Sequence, residues 1–164
     1  MRYVIREQFF RLGEDSQITD ESGQALFDVD GRVLSLHNTL VLRDLPGHEV
    51  ATVKRALIAL TPTYRIDRPG RSSVQVRKRL INLFGDHYTI DLPGPDDLEI
   101  VGDLFDHEYQ IKRAGDIIAT VSKQWIALTD TYGVETAPGE DDVLLLASVL
   151  ALDLAQDQKH RPSA

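Results

Sequence analysis

Near the end of the chain, residues 140–156 read EDDVLLLASVLALDLAQ, the most apolar passage in the protein. No charge interrupts it between Val143 and Leu152, and then Asp153 does. A membrane-spanning helix needs about 20 apolar residues, so this stretch is too short to cross a bilayer. A helix it is nonetheless. Gly139 is followed by Glu140, Asp141 and Asp142, which supply a cap and a negative first turn suited to the helix dipole. Leucine and alanine, both good helix formers, fill the body. Leu144, Leu145, Leu146, Val149, Leu150 and Leu152 occupy every side of the cylinder instead of one stripe. A helix that is apolar all round is buried all round, so the rest of the chain must wall it in.

That wall is written as a repeat. ATVKRALIALTPTYRI (51–66) recurs as ATVSKQWIALTDTYGV (119–134), and VRKRLINLFGDHYTI (76–90) is a third copy. Residues 29–42 form a weaker fourth, and DHEYQI (106–111) echoes DHYTI (86–90). Each copy is an alternating β-branched and polar run, a break, and a second alternating run, the pattern of a strand, a turn and a returning strand. Ser22-Gly23, Asp30-Gly31, Pro46-Gly47, Pro69-Gly70, Pro93-Gly94 and Ala114-Gly115 mark further turns. The runs amount to about a dozen strands, antiparallel because the connections are too short for crossovers. About a dozen strands spaced roughly 4.8 Å apart and tilted near 40° close into a barrel of roughly 12 Å radius. Such a barrel has room for one helix with its side chains, about 10–12 Å across. The expected fold is mainly β: a closed antiparallel barrel of about twelve strands around a central C-terminal helix. Residues 1–157 form one domain and 158–164 a polar tail.

Several function classes drop out on composition. A net charge of -8 argues against general nucleic-acid binding, which needs clustered lysine and arginine. There is no cysteine, hence no thiolate nucleophile, disulfide framework or Cys-ligated zinc. The N-terminal MRYVIREQFF breaks its apolar residues with charge and contains no secretory h-region. A soluble cytoplasmic protein is expected. No G-x-S-x-G surrounds any serine and no glycine loop is shaped to cradle phosphate, so neither an enzyme nor a cofactor is expected.

The segments YVIREQFF, LFDVDGRVLSLHNTLVLRDLPG, LTPTYRI, DLEIVGDLFDHEYQI and VSKQWIALTDTYGVE, ahead of GEDDVLLLA, together resemble the LURP-one-related family, from about Tyr3 to Leu154. The resemblance implies a twelve-stranded barrel around a hydrophobic helix, a fold shared with tubby C-terminal domains and phospholipid scramblases. It implies no catalytic residues. Tubby domains bind phosphoinositides and scramblases act on membrane lipids, which suggests lipid-related roles.

Four groups of residues are candidates for function. Arg77 and Arg79 fall on one strand face with Lys78 on the other, and Lys54 joins the arginine face if adjacent copies pair. Lys54, Arg77 and Arg79 would suit an anionic lipid headgroup. The bland reading is a solvated outer face that discourages aggregation. Asp103, Asp106, His107 and Glu108, echoed by Asp86-His87, have metal-ligand side chains, but alternation points Asp106 and Glu108 away from His107. Turn chemistry explains them better. Tyr64, Tyr88, Tyr109 and Tyr132, one per returning strand, are read as packing, and so is Trp125 at the place of Leu57 and Leu80. Ser148 is placed to bond a carbonyl one helical turn back. The leading reading is a non-enzymatic binding module that takes an anionic phospholipid or a protein partner. Its competitors are scramblase-like lipid handling and a metal-dependent enzyme built on residues 103–108.

Overall fold

The computed structural model describes residues 1–6, 16–32, 39–79, 87–126 and 130–160. Twelve strands precede one long helix: β1 (Arg2–Arg6), β2 (Ser16–Thr19), β3 (Ala25–Arg32), β4 (Thr39–Asp44), β5 (Glu49–Arg55), β6 (Thr63–Asp67), β7 (Val74–Arg79), β8 (His87–Asp91), β9 (Leu98–Asp103), β10 (Glu108–Arg113), β11 (Asp116–Ser122), β12 (Thr131–Thr136) and α1 (Asp142–His160). Every strand pairs antiparallel with its neighbours in sequence, and β12 pairs with β1 to close the ring. An even strand count lets an all-antiparallel meander close without a parallel seam. The fold expected from the repeat is the fold observed.

Strand alternation assigns the two faces. Ala51 and Val53 of β5, Val74 and Val76 of β7, and Ile100 of β9 point inward and are buried. Each even strand from β6 onward repeats one inward pair: Tyr64-Ile66, Tyr88-Ile90, Tyr109-Ile111 and Tyr132-Val134. The tyrosines are core residues, as their period suggested. Helix α1 runs through the middle, buried without a break over residues 144–155, a length of about 18 Å. It extends to His160, into the segment expected to be a polar tail.

The plug is fastened at its entry. Asp141 caps it by accepting the Leu144 N–H at 3.1 Å, and also binds Arg68 at 2.5 Å from the β6–β7 turn. Glu140 accepts from Arg113 at 2.8 Å at the end of β10, while Asp142 accepts from the Tyr3 hydroxyl on β1. Three successive acids thus tie the helix start to three sectors of the rim. Ser148 donates to the Leu144 carbonyl at 2.8 Å, one turn back as expected.

The meander gives the barrel two unlike ends. Connections from even to odd strands are tight and glycine-bearing, and β10–β11 needs only Ala114 and Gly115, with φ of 48° and 90°. Two left-handed residues match the type I′ turn that suits strand twist. Among the described connections from odd to even strands, β5–β6 (56–62) and β9–β10 (104–107) lie at the opposite end, called here the loop end.

Candidate functional site

The basic candidates sit on the outer wall toward the loop end. Lys54, Arg77 and Arg79 all face outward and are exposed. The pairing that was to unite them does not occur, because β6 lies between β5 and β7. Each copy of the repeat is a complete hairpin, so the first strands of successive copies are separated by a returning strand. That strand contributes its own cation, since Lys54 is in register with Arg65. Arg77 bridges Asp91 at 2.7 Å, and Arg65 bridges Asp67 at 2.7 Å. Arg79 donates to Thr89 at 3.4 Å. Burial pushes the Asp67 carboxyl up, but hydrogen bonds from Ser73 and Arg65, with the charges of Arg65 and Lys54, leave it below the ordinary value. Among the described residues, Lys54, Arg55 and Arg79 form no ion pair, so the β5–β7 sector retains positive charge.

The stretch from Asp103 to Glu108 is divided among unrelated duties. Asp103 accepts from the backbone N–H groups of Phe105 and Asp106, at 2.9 and 3.1 Å, which closes the β9–β10 turn. Glu108 accepts from the Ser122 hydroxyl and the Lys123 N–H, both at 2.9 Å. His107 turns inward: its Nε2 lies 3.0 Å from Asp153 of the plug, and its ring stacks on Tyr132 at 4.2 Å between centroids. Among the described residues no three acidic or histidine side chains converge as a metal site would require. Asp86 and Leu80 lie outside the described residues.

Asp153 was legible only as the charge that ends the apolar run. It is 8 % exposed and accepts from the Tyr132 hydroxyl as well as from His107. A second inward tyrosine, Tyr109, lies within reach of its charge. Burial first, and then the nearby Asp153, raises the Tyr109 phenol well above its ordinary value. Burial pushes Tyr64 up to about 12, with Arg55 pulling the other way. A buried carboxylate held by a phenol and an imidazole is a satisfied polar group, and it pins the plug in depth and rotation.

Trp125 is a correction to the core assignment. It is 36 % exposed and lies on the outside of β12. A methyl group at Gly133 would sit 3.1 Å from its ring, and the Arg2 guanidinium stacks on it at 4.9 Å. The place Trp125 shares with Leu57 in the repeat is a loop position, beyond the last inward residue of the strand.

What the sequence reading missed is the apolar tip of the β5–β6 loop. Leu57, Ile58 and Leu60 are 60 %, 101 % and 105 % exposed. At the other end, a cleft of about 300 Å³ is lined by Val50, Arg68, Arg71 and Val143 with Glu49, Pro69 and Asp141. Its arginines are already engaged by Asp141, at 2.5 and 3.3 Å. The loop end is therefore the stronger candidate for recognition.

Comparison with known proteins agrees with this architecture. The sequence model of the family described as LURP-one-related matches residues 1–153. The uncharacterized protein YxjI of Bacillus subtilis is 27 % identical over 150 residues, covering 92 % of this chain and 90 % of that protein. An X-ray structure of an Arabidopsis thaliana protein superposes with a TM-score of 0.68 at 19 % identity, covering 94 % of this chain and 91 % of that one. That likeness speaks for the fold.

Proposed function

The chain belongs to the LURP-one-related family, and from that premise we propose that it is a non-enzymatic binding module whose β5–β7 sector recognises an anionic lipid surface. The observation that carries the reading is the placement of Lys54, Arg55 and Arg79 without ion-pair partners among the described residues, toward one end of a chain whose net charge is -8. Each lysine or arginine held near an anionic leaflet contributes about 1 kcal/mol, so three or four give weak, reversible and salt-sensitive attachment. The barrel interior is filled by its own helix, which leaves the outer wall and loops as the surface for recognition. Among the described residues no helix is long and apolar enough to cross a membrane. The attachment proposed is peripheral, in keeping with the lipid-related roles of tubby-like and scramblase-like domains. Scramblase-like handling, in which the plug would leave the barrel, has less support because both halves of the helix are tied to the wall by buried or partly buried polar contacts.

The test is vesicle flotation of the wild type and of Arg77→Glu/Arg79→Glu, on neutral and on phosphoinositide-containing liposomes, at low and physiological salt. Binding to anionic vesicles that weakens with salt and drops in the variant is expected. Failure of the wild type to float with anionic vesicles at low salt ends the lipid reading.

A further inference from the structure

Residues 56–62 read ALIALTP, an uncharged run set between exposed cations and the start of β6. The inward positions of β5 end at Val53, so the core makes no use of Leu57, Ile58 or Leu60. Ile58 and Leu60 are as open to solvent as in an isolated peptide. Large aliphatic side chains displayed together on a protruding loop call for an explanation that scattered surface leucines do not. The loop is also held in shape. Its base is closed by the Ala56 N–H on the Thr63 carbonyl at 2.9 Å, and β7 grips it through the Lys78 N–H on the Pro62 carbonyl at 3.1 Å. Thr63 adds its hydroxyl to the Thr61 carbonyl at 3.0 Å. An apolar tip is thus presented on a fixed stem, with Lys54 and Arg55 exposed just behind it.

We infer that this loop is a membrane anchor: Leu57, Ile58 and Leu60 enter the hydrocarbon boundary of an anionic bilayer while Lys54 and Arg55 stay among the phosphates. The inference rests on the lipid-surface reading above and adds to it a depth and an apolar contribution. Charge complementarity selects the bilayer as the occupant. Along the loop's axis the order is hydrocarbon first and cations behind, the order in which a membrane offers acyl chains beneath a layer of phosphate. Asp103 and Asp106 lie on the β9–β10 side of the same end, which orients the approach through the β5–β7 sector. A peptide groove would meet the same loop without needing that layering.

The absence of cysteine allows a direct readout. Ile58→Cys, labelled with an environment-sensitive fluorophore, is mixed with anionic vesicles with and without a quencher on the lipid acyl chain. In parallel, Ile58→Asp/Leu60→Asp is floated beside the wild type at physiological salt. The expected result is a blue-shifted, brightened label quenched from the acyl region, with partitioning of the Asp variant lowered about tenfold or more. If the wild type floats but the label stays in water and the Asp variant floats equally well, the anchor is refuted while the lipid-surface reading stands. If the wild type binds no vesicle, both fall, and the apolar tip is assigned to a protein contact. Because the label reports position directly, it decides the matter even where the Asp variant misfolds.

Discussion

Asp153 is the one ionisable side chain in the buried length of the plug, and its two partners come from distant parts of the chain. His107 stands 46 positions away and Tyr132 stands 21 away. Removing the phenol leaves a buried carboxylate short of a donor, which costs about 1–3 kcal/mol. Tyr132→Phe should therefore lower the urea midpoint by a corresponding amount without altering the slope of the transition. An unchanged midpoint would mean that water replaces the hydroxyl at no cost. None of this could be read from sequence. Asp153 announced only that the apolar run ended, and His107 sat among neighbours that looked like a ligand cluster. Strand alternation did indicate that His107 parts from Asp106 and Glu108; where it goes depended on which turn of the helix reaches that depth. Trp125 misled for a related reason. A large aromatic aligned with leucines reads as core until those leucines prove to be loop residues too.

The elements themselves were far more legible. Alternation and turn glycines marked hairpins, and an all-round apolar helix required an enclosing wall. The separation of β5 from β7 was not legible, because a repeat unit does not say whether copies meet through first strands or through a first and a return strand. At the helix entry, Asp141 illustrates how an element is held by charge. Burial raises its carboxyl, but the Arg68 hydrogen bond, the Leu144 N–H and the charges of Arg68 and Arg71 outweigh this and keep it below its ordinary value. A carboxyl depressed by folding stabilises the native state above its unfolded value, near about 4, and loses that contribution as pH falls through the lower folded value. Asparagine retains capping ability while removing the charge. Asp141→Asn is therefore expected to be less stable than wild type at pH 7, with the gap closing as pH falls below about 4. Denaturation midpoints across that range check it. A gap independent of pH would assign the difference to packing.

At the scale of the whole molecule, barrel and plug share one buried apolar core. Leu146 is wholly buried in the first half of α1, so Leu146→Asp would place a charge where no partner can reach it. The variant should yield no soluble protein with a cooperative melt; a soluble protein melting near wild type would show that the wall stands without its plug. The same closed ring sets an order of events. β1 completes its pairing only with β12, joining Arg2 to Glu135, and the segment that fills the middle is translated after both. While the ribosome is still adding α1, twelve strands' worth of inward valine, isoleucine and tyrosine have nothing to close upon. Such non-local topologies fold slowly and expose apolar surface while they wait. The barrel thus waits on the last of its elements to be made, and until α1 emerges its inward face stays an exposed, aggregation-prone surface.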